Sequence, residues 1–217
     1  MPLPAENGPV DGRIPVAVLI SGRGSNMTAL IEACREESFP ARIALVLSNE
    51  PAAAGLATAA SAGLRTASLD HRPFGRDREA HEREIDALLR EAGAQAVCLA
   101  GYMRRLTPFL VGAWSGRMLN IHPSLLPSFP GLHTHERALA AGVRIHGCTV
   151  HLVTEGVDEG PILGQAAVPV LAGDDAATLG ARVLAQEHRL YPAVLARHLR
   201  PDAEQAGSDG AAALRCF

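Results

Sequence analysis

The segment Asn120-Ile121-His122-Pro123-Ser124-Leu125-Leu126-Pro127 holds the pair of residues best suited to chemistry. Asn120 and His122 stand two apart at the end of an apolar run. In an extended chain, residues i and i+2 project to one side, so an amide and an imidazole converge there. The amide donates hydrogen bonds without titrating. The imidazole donates, accepts and carries charge near neutral pH. Together they suit the stabilisation of a developing oxyanion and the movement of a proton. Such a histidine gains from a carboxylate that orients it and favours its charged form. Thr154-Glu155-Gly156-Val157-Asp158-Glu159-Gly160-Pro161 offers three, and spacing does not choose among Glu155, Asp158 and Glu159.

A second segment, Ser21-Gly22-Arg23-Gly24-Ser25-Asn26, follows an apolar run and opens a helical pattern. A helix N-terminus offers free N–H groups and a partial positive charge, and glycines let an anion approach the backbone. The segment suits a phosphate. A tight turn with Ser25 as helix N-cap fits it too. It is no dinucleotide fingerprint, because Met27 stands where the third glycine belongs. Nor is it a Walker loop, since no Gly-Lys-Ser/Thr follows.

His133, His135, His146 and His151 raise the question of a metal. No HExxH pattern is present and no cysteine joins them, so they are expected to bond loop backbone or line a pocket wall. Arg78, Arg104 and Arg105 suit either ligand carboxylates or solvent.

The elements that must carry these residues alternate. Apolar runs at 16–20, 43–47, 64–69 and 96–100 read as strands, separated by helical patterns at 26–37, 52–62 and 75–92. Such alternation implies a parallel sheet with helices on both faces. The rest reads as strands at 118–121, 148–154 and 162–170, with helices at 134–141 and 175–200. Pro169 makes the last strand an edge or ends it there, and Pro192 stands where it can bend the last helix. The fold class is α/β: one open, mostly parallel sheet with antiparallel strands in the C-terminal part. The single domain is expected over residues 14–201, between tails at 1–13 and 202–217.

Composition narrows the function. The 217 residues are 47% hydrophobic and 20% charged, with 20 basic and 23 acidic side chains, enough for a soluble domain with its own core. No basic stripe suggests nucleic acid, and no apolar run approaches the ~20 residues that span a bilayer. The four cysteines, Cys34, Cys98, Cys148 and Cys216, have no metal-ligand or CxxC spacing and fit a reducing cytoplasm. No secretory signal pattern stands at residues 1–12.

Four segments, in order, resemble the glycinamide ribonucleotide formyltransferase family. They are Ile20 to Asn26; Leu99-Ala100-Gly101-Tyr102-Met103-Arg104; Asn120 to Pro127 with Pro130-Gly131-Leu132-His133-Thr134-His135; and His146-Gly147-Cys148-Thr149-Val150-His151 with Asp158-Glu159-Gly160-Pro161. The similarity runs from about Val16 to His188. It implies a Rossmann-like formyltransferase fold and formyl transfer from 10-formyltetrahydrofolate, a co-substrate, to the amine of 5-phosphoribosylglycinamide in purine synthesis. It requires no metal, and its partners are small-molecule substrates handled by a monomer or homodimer.

The resemblance also assigns residues. It implies Asn120, His122 and Asp158 as the catalytic trio, which selects Asp158 among the three carboxylates. It implies Gly24, Ser25, Asn26, Gln186 and Glu187 for the nucleotide. For the folate it implies Arg78, the wall Met103, Arg104, Arg105 and Leu106, and a second wall of Thr154, Glu155, Gly156, Val157 and Asp158, with Asn120 between. Arg105 replaces a usual apolar residue, Ser128 stands where some members have lysine, and Cys148-Thr149 replaces a more usual Thr-Ser. Methionyl-tRNA formyltransferase and formyltetrahydrofolate deformylase share the Asn-x-His core, but each is expected to carry a further domain for which this chain has no room. A non-catalytic nucleotide sensor would use the glycine loop alone.

Overall fold

A computed structural model describes residues 12–200. Residues 1–11 and 201–217, nearly all of the two expected tails, lie outside the described residues. The strands are β1 (Ile14–Ile20), β2 (Ala41–Ser48), β3 (Thr66–Ser68), β4 (Ala96–Leu99), β5 (Met118–His122), β6 (Ile145–Leu152) and β7 (Ile162–Pro169). The helices are α1 (Ser25–Arg35), α2 (Ala54–Ser61), α3 (Arg78–Glu91), α4 (Pro108–Ala113), α5 (Thr134–Ala140) and α6 (Ala176–His198).

The strands form one sheet in the order β3-β2-β1-β4-β5-β6-β7. Contacts from β3 through β5 are parallel, whereas β5–β6 and β6–β7 are antiparallel. The apolar run of β1 feeds both faces, as a central parallel strand must. Val16, Val18 and Ile20 pack with residues of α1 and α6, while Ala17 and Leu19 pack with α3 and α4. The Tyr191 hydroxyl of α6 meets the carbonyls of Leu99 and Leu119 at 3.1 and 3.0 Å, locking the helix to β4 and β5.

Three expectations need correction. The N-cap of α1 is Gly24 at φ 71°, and Ser25 is the first helical residue, so the Ser25 cap is wrong. A glycine adopts this left-handed turn without the steric cost that a serine would incur. Helix α4 was not expected at all: Pro108 starts it, but six residues are too few to show a helical period. Strand β6 begins at Ile145 rather than at 148, because its pairing with β7 continues through Gly147, where a side chain would strike the Ala166 carbonyl at 2.0 Å. Strand β7 is the edge that Pro169 implies, and α6 continues through Pro192.

Candidate active site

The sheet order reverses direction between β1 and β4, and open parallel sheets bind ligands beyond the strand ends at such a point. The glycine loop leaves β1 there. The Gly55 N–H of α2 donates to the Gly22 carbonyl at 3.0 Å, and a Cβ on Gly55 would lie 2.5 Å from Ile20 Cδ1. Gly55 therefore brings α2 against the loop, a role that an alanine-rich helical pattern does not advertise.

Behind the loop, Asn26 Nδ2 donates to Glu187 Oε2 at 2.6 Å, joining α1 to α6. Burial raises the Glu187 pKa, and the bond from Asn26 opposes that rise. Among the described residues, Asn26 Oδ1 and Gln186 Oε1 are buried without a hydrogen-bond partner. Buried orphan acceptors are costly unless a donor arrives, and a polyhydroxyl or amine ligand supplies donors. Gly24 and Ser25 directly precede Asn26, Gly24 half-buried and Ser25 exposed.

The second centre lies on the antiparallel side. Strand β5 places Asn120 opposite His151 and His122 opposite Thr149 in the β6 register. Asn120 Nδ2 lies 3.1 Å from His151 Nε2, and His151 Nδ1 lies 2.9 Å from the Leu152 carbonyl. The carbonyl can only accept, so Nδ1 carries the proton and Nε2 accepts from the amide. Burial lowers the His151 pKa, which suits that neutral ring. The β6–β7 register shifts at Val150/His151, a bulge of the kind that re-aims a side chain beside a site.

The connection from β6 to β7 folds back over this face. The Leu152 N–H bonds to the Pro161 carbonyl at 2.9 Å, and a Cβ on Gly160 would sit 1.7 Å from the Leu152 carbonyl oxygen. Gly160 thus permits the approach that brings in Asp158. Asp158 Oδ2 lies 3.3 Å from His122 Nδ1 and accepts the Gly131 N–H at 2.8 Å; Oδ1 lies 3.7 Å from His151 Nε2. Asp158 itself has φ 58°, a left-handed conformation held by these contacts. Glu155 and Glu159 are exposed.

His122 Nε2 faces the Phe129 carbonyl at 3.1 Å. Both ring nitrogens therefore face acceptors, and only a doubly protonated ring donates to both. The loop that brings Phe129 is pinned through the buried Thr149 hydroxyl, which donates to the Ser124 carbonyl at 2.7 Å and accepts the Leu126 N–H at 3.0 Å. Of the remaining histidines, His135 and His146 face each other at 3.2 Å, and His133 is exposed. His151, expected to bond loop backbone or line a pocket wall, bonds the Leu152 carbonyl and also meets Asn120. Its signal in the sequence is its two-residue spacing from Thr149 on a strand, but the partner strand is not written there.

The other predicted residues are mostly exposed. Arg78 Nη1 donates to the Arg105 carbonyl at 3.3 Å, and both side chains are exposed. Met103 is 70% exposed and Val157 46%, so each expected wall presents an apolar side chain to solvent. Leu106 and Arg104 are partly buried, Thr154 is exposed and Gly156 is half-buried. The wall 103–106 ends on Thr107, whose N–H donates to the buried Glu82 carboxylate at 2.9 Å and whose hydroxyl bonds it too.

The chain is similar to known proteins over most of its length. The formyl transferase family matches residues 14–195. The human trifunctional purine biosynthetic protein adenosine-3 is 51% identical over 83% of the chain, which spans 18% of that protein's length. Phosphoribosylglycinamide formyltransferase of Escherichia coli is 47% identical over 83% of the chain and 84% of its own. The crystal structure of phosphoribosylglycinamide formyltransferase from Brucella melitensis superposes with a TM-score of 0.82 at 56% identity, covering 86% of this chain and 96% of that one. With the fold and the matched segment in accord, the chain belongs to the formyl transferase family.

Proposed function

We propose that the chain transfers the formyl group of 10-formyltetrahydrofolate to the amine of 5-phosphoribosylglycinamide, in purine synthesis. One juxtaposition carries this reading: Asp158 Oδ2 stands 3.3 Å from His122 Nδ1, on the strand face that also presents Asn120. Relatives named for this activity, at 47% identity across most of both chains, support it.

Asn120 keeps one N–H beyond its bond to His151, and that N–H suits the formyl oxygen as it gains negative charge. His122 exchanges the Phe129 carbonyl for the same oxygen and donates from Nε2. Asp158 stabilises the imidazolium and orients it through Nδ1. As the attacking amine bonds the formyl carbon, the bond from that carbon to N10 of the folate breaks. The proton lost by the amine reaches N10, by way of water held at Asp158. Gly24, Ser25 and Asn26 hold the phosphate end, while Gln186 and Glu187 meet the glycinamide end. Arg78 pairs with the folate's carboxylate tail. Met103 to Leu106 and Thr154 to Asp158 flank its ring, for which the exposed Met103 and Val157 supply apolar surface.

Incubating the purified protein with both substrates and following the formylated nucleotide by mass spectrometry tests the reading. Product is expected, at undiminished rate in EDTA. A preparation that binds the nucleotide yet forms none of this product would overturn it.

A further inference from the structure

The chemistry above leaves Ser21 unused, yet its side chain joins three strand ends. The hydroxyl oxygen accepts the Met103 N–H at 2.7 Å, and the hydroxyl hydrogen is donated to Asn49 Oδ1 at 2.5 Å. A hydroxyl has one hydrogen, so the two bonds have fixed directions. Asn49 is buried just past β2, and its Nδ2 lies 3.2 Å from His71 Nδ1. The Ser21 backbone N–H adds a bond to the Gly101 carbonyl at 3.1 Å. The strands β1, β2 and β4 thus meet at one side chain.

Two consequences follow from where these bonds lie. Met103 opens the wall 103–106, whose far end is held by Glu82 through Thr107. That wall is a short span clamped at both ends, and Ser21 is one clamp. Ser21 also opens the glycine loop, whose Gly22 carbonyl is held separately by Gly55. Losing the hydroxyl therefore frees the wall while α2 still holds the loop.

We propose that Ser21 is a positioning residue for the folate: it fixes the wall 103–106 through the Met103 N–H, with Asn49 orienting its hydroxyl. The proposal rests on the assignment of that wall to the folate. Removing the hydroxyl leaves Asn49 Oδ1 buried without its donor and Met103 N–H without its acceptor.

The test compares wild type, Ser21→Ala and Ser21→Thr. Three quantities are measured: KM for 10-formyltetrahydrofolate, KM for the nucleotide, and amide hydrogen exchange of the 101–106 peptide. Ser21→Ala is expected to raise the folate KM about tenfold, the size of the lost bond from Met103 N–H that holds the wall. It should leave kcat and nucleotide KM within about twofold and speed exchange at 101–106. Ser21→Thr, which keeps the hydroxyl, should restore all three. A purely structural role would move both KM values together or lower kcat alone, and either result overturns the proposal. If the wild type takes no folate, the assignment of the wall fails, and the proposal with it. If the wild type takes folate and Ser21→Ala takes it equally well, only the role of Ser21 fails.

Discussion

In the proposed function, the two halves of the sheet carry opposite kinds of site. On the parallel side, the loop after β1 offers backbone: glycines, a helix N-terminus and a carbonyl held by α2. On the antiparallel side, β5 and β6 offer side chains, with Asn120 against His151 and His122 against Asp158. The difference follows from strand geometry. Parallel neighbours put their ends, and hence loops and helix termini, at a common edge. Antiparallel neighbours put side chains directly opposite one another, so an amide, two imidazoles and a folded-back carboxylate can be set in register. Binding by backbone and chemistry by side chain should therefore be separable by substitution.

The largest effect is expected at Asp158. Asp158→Asn keeps the shape but removes the charge facing His122 Nδ1. Turnover should fall about 100-fold or more, with nucleotide affinity retained; calorimetric titration beside steady-state kinetics checks both halves of that statement. If nucleotide affinity falls equally, the two sites are not separable. Gly160→Ala should come next, because its Cβ would strike the Leu152 carbonyl and push Asp158 from His122. Turnover should drop at least about tenfold and the melting temperature by several degrees, an overpacking strain of about 1–3 kcal/mol. The mirror-image substitution on the parallel side is Gly55→Ala, which crowds Ile20 and the Gly22 carbonyl. It should raise nucleotide KM severalfold while sparing kcat. A kcat effect as large as that of Gly160→Ala would erase the contrast.

Two smaller effects concern ionisation. Burial raises the Glu187 pKa, so the folded chain holds that proton more tightly than the unfolded chain. The stabilisation is complete below the unfolded value near 4.5 and is lost as pH rises through the folded value. Glu187→Gln can still accept from Asn26, so it should melt higher than wild type at pH ~8, with no gain near pH ~4.5. It should bind the nucleotide less tightly, since a group that costs stability at a site is one kept for binding. The smallest effect lies at His146, whose pKa burial pushes down to about 4 from 6.5. Here the unfolded chain takes the proton first, so stability is complete above 6.5 and lost as pH falls toward 4. His146→Gln should flatten the melting temperature over that window, as scanning calorimetry across pH would measure.

Much of this architecture was readable in the chain. The double-faced apolar run of β1, the glycines after it and the helical periods of α1, α3 and α6 specify a parallel α/β frame by local pattern alone. Asn120 and His122 share a face because a strand alternates, wherever that strand lies. The family resemblance then supplied the folate, the nucleotide and the choice of Asp158.

Only tertiary structure decided the partners. His151 meets Asn120 because β5 and β6 run antiparallel in one particular register, and nothing near either residue encodes that register. Asp158 rather than Glu155 or Glu159 meets His122 because Gly160 lets the connection fold back against Leu152. Gly24 caps α1, and Gly55 and Ser21 hold the loop and the wall, because strand ends far apart in sequence come within hydrogen-bond reach. Local pattern sets which way a side chain points along its own element. What it points at depends on the packing of elements that the pattern of one segment cannot contain.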